Sequence, residues 1–98
     1  MKMIKYTSQF KKDFKKVCQY PQFNQETLDK YVKIIQSGGK LPEESRDHPL
    51  SKASPKHYKG LRDCHISSDI CLIYELRTEL IVLHRIGKHN NLKLTEDI

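Results

Sequence analysis

The chain reads as an α+β fold: strand, helix, helix, then an antiparallel β-meander, with the helices packed on one face of the sheet. Three observations predict it. A length of 98 residues allows one domain with one small core and no second lobe. Apolar residues in the first part of the chain recur in two blocks at helical spacing. From His57 the period shortens to that of strands, joined by connections short enough to make neighbours antiparallel.

Each element has a local cause. Residues 3 to 7, Met-Ile-Lys-Tyr-Thr, are short and partly alternating, an opening strand that stops where Thr7 or Ser8 can cap a helix. Phe10, Phe14, Val17 and Cys18 then fall at i, i+4, i+7 and i+8, one apolar stripe with Lys11, Lys12, Lys15 and Lys16 mostly off it. Tyr20-Pro21 ends this helix, because proline disfavours helical geometry in the residue before it. A second helix is expected from an Asn24 N-cap to Ser37, with Leu28, Tyr31, Val32 and Ile35 on one face and Gly38-Gly39 as the stop, so that the two helices can form a hairpin. Residues 40 to 57, with Pro42, Pro49 and Pro55 among charged and small residues, read as a long irregular surface connection.

Strands are expected over 58 to 66, 70 to 77 and 80 to 86, separated by Ser67-Ser68-Asp69 and Arg77-Thr78-Glu79. Ile70-Cys71-Leu72-Ile73-Tyr74 is apolar on both faces and belongs in the middle of the sheet. A two-residue turn at Ser67-Ser68 would put Asp63 and His65 on the face of Ile70 and Leu72, whereas a longer loop changes that register. Alternation leaves the face of His65 open.

The formal charge is +6, and it is unevenly spread: residues 1 to 40 carry nine Lys and three acids, while residues 41 to 98 carry nine basic and nine acidic side chains. Such a cationic half suits a polyanion such as RNA or an acidic protein, although a merely solvated basic helix has the same composition. Cys18, Cys64 and Cys71 show no CxxC spacing and cannot all pair within one chain, so neither a disulfide framework nor a zinc cluster is indicated and a reducing cytoplasm fits. The N-terminal residues lack the apolar core of a signal peptide, and no run approaches the roughly 20 apolar residues of a membrane span. A soluble, unexported protein with no membrane partner is the expectation.

All five histidines lie between residues 48 and 89, four of them in the strings Arg46-Asp47-His48-Pro49-Leu50, Arg62-Asp63-Cys64-His65 and His84-Arg85-Ile86-Gly87-Lys88-His89. Cleaving RNA needs a base for the 2′-hydroxyl proton, an acid for the leaving 5′-oxygen, and cations for the phosphoryl oxygens. Imidazoles, with an unperturbed pKa of about 6.5, can serve as either partner without a metal or other cofactor. Each residue also has a plainer role: His48 and His57 as loop residues, His84 as a partly buried strand residue, Asp69 as a turn residue, and Arg62 and Arg85 as caps of the sheet edge.

Taken in order, Asp47-His48-Pro49-Leu50, Lys59-Gly60-Leu61-Arg62-Asp63-Cys64-His65-Ile66, Asp69-Ile70-Cys71-Leu72-Ile73-Tyr74 and Arg85-Ile86-Gly87-Lys88-His89 closely resemble the YafQ branch of the RelE-like toxins of bacterial toxin-antitoxin modules. The resemblance spans nearly the whole chain. It implies a ribosome-dependent endoribonuclease, an mRNA interferase that cuts messenger RNA in the A site and is silenced by a cognate antitoxin. Position by position it implies His48, His65, Asp69 and His89 as the catalytic set, Arg62, Arg85 and Lys88 on the substrate side, and Lys11, Lys12, Lys15 and Lys16 as a ribosome-binding helix. The chain departs from the family where Ile70 replaces a frequent Trp, where Asn90-Asn91-Leu92-Lys93-Leu94 lacks an aromatic, and in a longer loop through Ser54-Pro55-Lys56. The alternatives are a same-fold gyrase poison of the ParE type, which has no need of a histidine-rich strand end, and a non-catalytic RNA- or protein-binding module.

Overall fold

The computed structural model describes residues 1–50 and 60–92. His57, the Ser54-Pro55-Lys56 stretch, the expected strand start at 58, Lys93 and Leu94 lie outside the described residues. Strand β1 (Met3–Tyr6) leads into helices α1 (Ser8–Val17) and α2 (Gln25–Gln36). Strands β2 (His48–Pro49), β3 (Arg62–His65), β4 (Ile70–Leu76) and β5 (Leu80–Lys88) follow, and a short helix α3 (His89–Leu92) closes the described chain.

Local chemistry sets the helix ends as expected. The Thr7 hydroxyl accepts from the Phe10 N–H at 3.0 Å, and Asn24 Oδ1 accepts from Glu26 and Thr27 at 2.9 and 3.3 Å, relieving backbone donors that a helix start leaves unpaired. Gly38 takes φ +76°, the left-handed stop that a Cβ would strain. α1 is shorter than the proline implies, because the chain tightens after Val17 into i→i−3 bonds, Gln19 to Lys16 and Tyr20 to Val17.

The sheet order is β1-β5-β4-β3-β2, with β1 parallel to β5 and every other pair antiparallel. Thr7 ties the start of α1 to the sheet, donating its N–H to the Leu83 carbonyl at 3.1 Å and its hydroxyl to the His84 carbonyl at 2.8 Å. Leu72, Tyr74, Leu83 and Ile86 pack against Phe10, Val17 and the apolar face of α2. Burying one such side chain is worth roughly 1.5–3 kcal/mol. The opposite face is also covered, since Cys71 and Ile73 lie under Leu50, Leu61 and Leu92. β4 is therefore central and apolar on both sides, as its sequence requires.

Two further features differ from the sequence reading. The stretch from residue 40 is not irregular throughout: a 3₁₀ turn at Glu43–Ser45 and the edge strand β2 occupy it, with Ser45 and Leu50 buried. Pro49 is tolerated there because β2 pairs on one side alone. In β5, Arg85 stands opposite Ile73 and Leu83 opposite Tyr74, so His84 is the extra residue of a bulge. The bulge lets Leu83 and Ile86, three apart, both face the helices. Among the described residues no helix is long and apolar enough to cross a membrane.

Candidate active site

The β3–β4 register decides the face of His65. Ile66 N–H donates to the Ile70 carbonyl at 2.8 Å across a three-residue loop, His65 is opposite Cys71, and Asp63 is opposite Ile73. Both side chains therefore share the face of Cys71 and Ile73, away from α1 and α2, as the longer-loop register requires. On the far side of β3, His48 stands opposite Asp63, with its Nε2 3.8 Å from Asp63 Oδ2. At the end of β5, His89 lies over His65 with ring centroids 6.4 Å apart and planes 20° from parallel. Three histidines separated by up to 41 residues in sequence thus gather at one end of the sheet, 89 − 48 = 41.

Main-chain bonds hold these rings. His89 donates its N–H to the Asp69 carbonyl at 3.1 Å, so the β3–β4 loop anchors the start of α3. His48 Nδ1 lies 2.6 Å from the Arg46 carbonyl, which places the proton on Nδ1. Arg46 itself takes φ +51°, an uncommon conformation for a side chain of its size. Burial, then the Arg46 charge and then His89, hold the His65 imidazole below its ordinary pKa, partly opposed by a backbone hydrogen bond at Ser45. The neutral form of His65 is thereby favoured.

The other expected site residues have the following settings. Arg62 lies on the opposite face of β3 from His65 and donates Nη2 to Asp47 Oδ2 at 2.9 Å, while the buried Tyr74 hydroxyl donates to Asp47 Oδ1. Arg85 grips Asp13 of α1 at 2.6 and 3.1 Å, and the Ile86 N–H joins the same carboxylate at 3.3 Å. Lys88 Nζ sits 4.6 Å from the centroid of the Tyr20 ring, a cation–π contact. The Asp69 carboxylate accepts from Gln22 Nε2 at 3.4 Å, not from an imidazole. His84 pairs with Glu75 at 3.0 Å, a structural role on β4 and β5. Lys11, Lys12, Lys15 and Lys16 are exposed along α1.

Residues that sequence reasoning missed are Arg46, Asp63, Cys71 and Asp13. Arg46 and Asp63 carried a signal in standing in the same strings as His48 and His65, and Asp13 in being a single acid inside a lysine run. Donor atoms of Asp63, His65 and Cys71 all lie within 4.8 Å of one another, close enough to hold a cation.

A five-stranded sheet backed by two helices on one side, with a histidine cluster at one end of the other, is an architecture shared with solved structures of small bacterial toxins. A family model described as "Bacterial toxin of type II toxin-antitoxin system, YafQ" matches residues 2–94. This chain belongs to that YafQ toxin family. It is 36% identical over 88 residues to the mRNA interferase toxin YafQ of Escherichia coli strain B / BL21-DE3, covering 88% of this chain and 89% of that protein. YafQ in the Escherichia coli DinJ-YafQ complex superposes with a TM-score of 0.74 at 34% identity, covering 94% of this chain and 98% of that one. A metal-bound toxin from Helicobacter pylori superposes with a TM-score of 0.80 at 28% identity, covering 94% and 99%.

Proposed function

We propose that this chain, as a single toxin domain, is an mRNA interferase that cuts messenger RNA on the ribosome and is held silent by a cognate antitoxin. The observation that carries the reading is the stacked His65–His89 pair, 6.4 Å between centroids, in which one ring is desolvated and the other lies toward the strand end. His65, in its favoured neutral form, takes the 2′-hydroxyl proton as the 2′-oxygen bonds to phosphorus. The bond from phosphorus to the 5′-oxygen then breaks, and His89 supplies the proton to that oxygen, leaving a 2′,3′-cyclic phosphate. Arg46, whose charge acts on His65 more strongly than any other, meets the negative charge on the phosphoryl oxygens. His48 borders the same end, and Asp69 positions His89 through its carbonyl.

The exposed lysines of α1 give ribosomal RNA a cationic surface, while Arg85, Arg62 and Lys88 act on substrate indirectly by holding α1, β2 and the α1–α2 connection to the sheet. The antitoxin presents an acidic or apolar segment over His65, His89 and Arg85. The site of action is the cytoplasm, where ribosomes are.

The test is expression without the partner. Growth arrest with transcripts cut inside reading frames is expected. DNA damage with intact messages would favour the gyrase-poison reading instead.

A further inference from the structure

β3 and β4 bring together three donor side chains that their sequence spacing does not mark as a site. Asp63 and His65 are two apart on β3 and share a face, and Cys71 on β4 is the cross-strand partner of His65. An imidazole nitrogen, a carboxylate oxygen and a thiol sulfur lie mutually within 4.8 Å. Asp63 and Cys71 are each 0% exposed. A bound divalent cation would add positive charge beside this buried carboxylate.

We propose that Asp63, His65 and Cys71 form a binding site for a zinc-class cation, with the fourth position left to solvent, and that filling it silences the nuclease. The consequence for cleavage rests on the proposed role of His65; the binding itself rests on the donor geometry. A mixed sulfur, nitrogen and oxygen set selects a borderline-soft ion over Mg²⁺ or Ca²⁺, which take oxygen ligands. Tetrahedral Zn²⁺ with bonds of roughly 2.0–2.3 Å holds its donors roughly 3.3–3.7 Å apart, so side-chain rotation need close the cluster by only about an ångström.

His48 borders the cluster from β2. Its Nδ1–H donates to the Arg46 carbonyl at 2.6 Å, which fixes the tautomer with the lone pair on Nε2, and Nε2 lies 3.8 Å from Asp63 Oδ2. That ring is 32% exposed, so an ion can enter from solvent beside it. Once bound, the ion occupies the His65 lone pair that the 2′-hydroxyl proton needs. Cys64, one residue away, belongs to the helix-facing core and takes no part.

Co²⁺ titration of the full chain, followed by Zn²⁺ competition, tests the site. One Co²⁺ per chain with a thiolate-to-metal charge-transfer band is expected. Cys71→Ser should abolish the band and weaken Zn²⁺ binding by about 10-fold or more, while Cys18→Ser leaves both unchanged. Asp63→Asn should keep the band and lower affinity by a similar factor, which guards against Cys71→Ser acting through misfolding. Absence of the band in the native chain, or its survival in Cys71→Ser, overturns the site. Zn²⁺ should inhibit cleavage by the native chain and spare Cys71→Ser, each read as a fraction of its own metal-free rate; equal fractional inhibition of both overturns the silencing. A chain that shows the band and never cleaves RNA retains the metal site and loses the nuclease reading.

Discussion

Asp47 precedes His48 in the histidine string, and its carboxylate does structural work that Asp47→Ala would expose. It accepts Arg62 Nη2 at 2.9 Å and Nε at 3.4 Å, and the Tyr74 hydroxyl. Tyr74 is only 1% exposed, so its hydroxyl would lose its acceptor in a place where water does not replace it, at a cost of about 1–3 kcal/mol. The Arg62–Asp47 side chains are 30% and 23% exposed, which holds that pair to the scale of partly solvated bridges, up to about 1 kcal/mol. Together the loss is about 1–4 kcal/mol. At roughly 4–8 °C per kcal/mol for a domain of this size, melting should fall by roughly 4–30 °C. Tyr74→Phe alone should cost about 1 kcal/mol, since Arg62 keeps its partner. In the Tyr74→Phe background Asp47→Ala should then cost about 1 kcal/mol, and that non-additivity is the signature of a shared carboxylate. Urea unfolding of the two single variants and the double variant, followed by circular dichroism, measures all three. A loss below about 0.5 kcal/mol for Asp47→Ala, or equal losses in both backgrounds, would refute the network as an anchor of β2.

Other outcomes concern the site. His65→Ala and His89→Ala should each lower single-turnover cleavage on programmed ribosomes by about 10²-fold or more with the fold intact; near-native rates for both would remove the acid-base pair. His65 has a lowered pKa in the folded chain, so its neutral form persists as pH falls below the ordinary imidazole value, and any stability it contributes is present above that value and lost as pH falls through the folded one. In EDTA, the acidic limb of the cleavage profile should therefore lie below about 6.5 and move upward in Arg46→Gln, because removing the cation relieves the repulsion; an unmoved limb contradicts the role given to Arg46. Asp69→Asn preserves the carbonyl that holds His89 and should lower the rate by less than about 10-fold, whereas a loss as large as that of His89→Ala would make the carboxylate itself catalytic. Cleavage should survive EDTA with ribosome integrity controlled, and activity restored by Zn²⁺ alone would overturn metal-free catalysis.

Much of this molecule is readable from local residues because the forces involved act over a few positions. The Asn24 cap, the Gly38 stop, the stripe from Phe10 to Val17 and the doubly apolar run of β4 each follow from backbone sterics or periodicity within one element. The ordered strings around His48, His65 and His89 pointed to the same family that the matched family model gives. Periodicity is silent about anything that depends on a partner strand. A strand pattern of period two reads equally well in either register, so a three-residue loop, not alternation, turned His65 toward Cys71 and away from the helices. The bulge at His84, the capture of Arg85 by Asp13 and the pairing of Arg62 with Asp47 likewise join residues far apart in sequence. Which charge pairs with which was decided by tertiary geometry, because an ion pair forms with whichever charge the packed chain brings within reach and leaves no trace in local spacing.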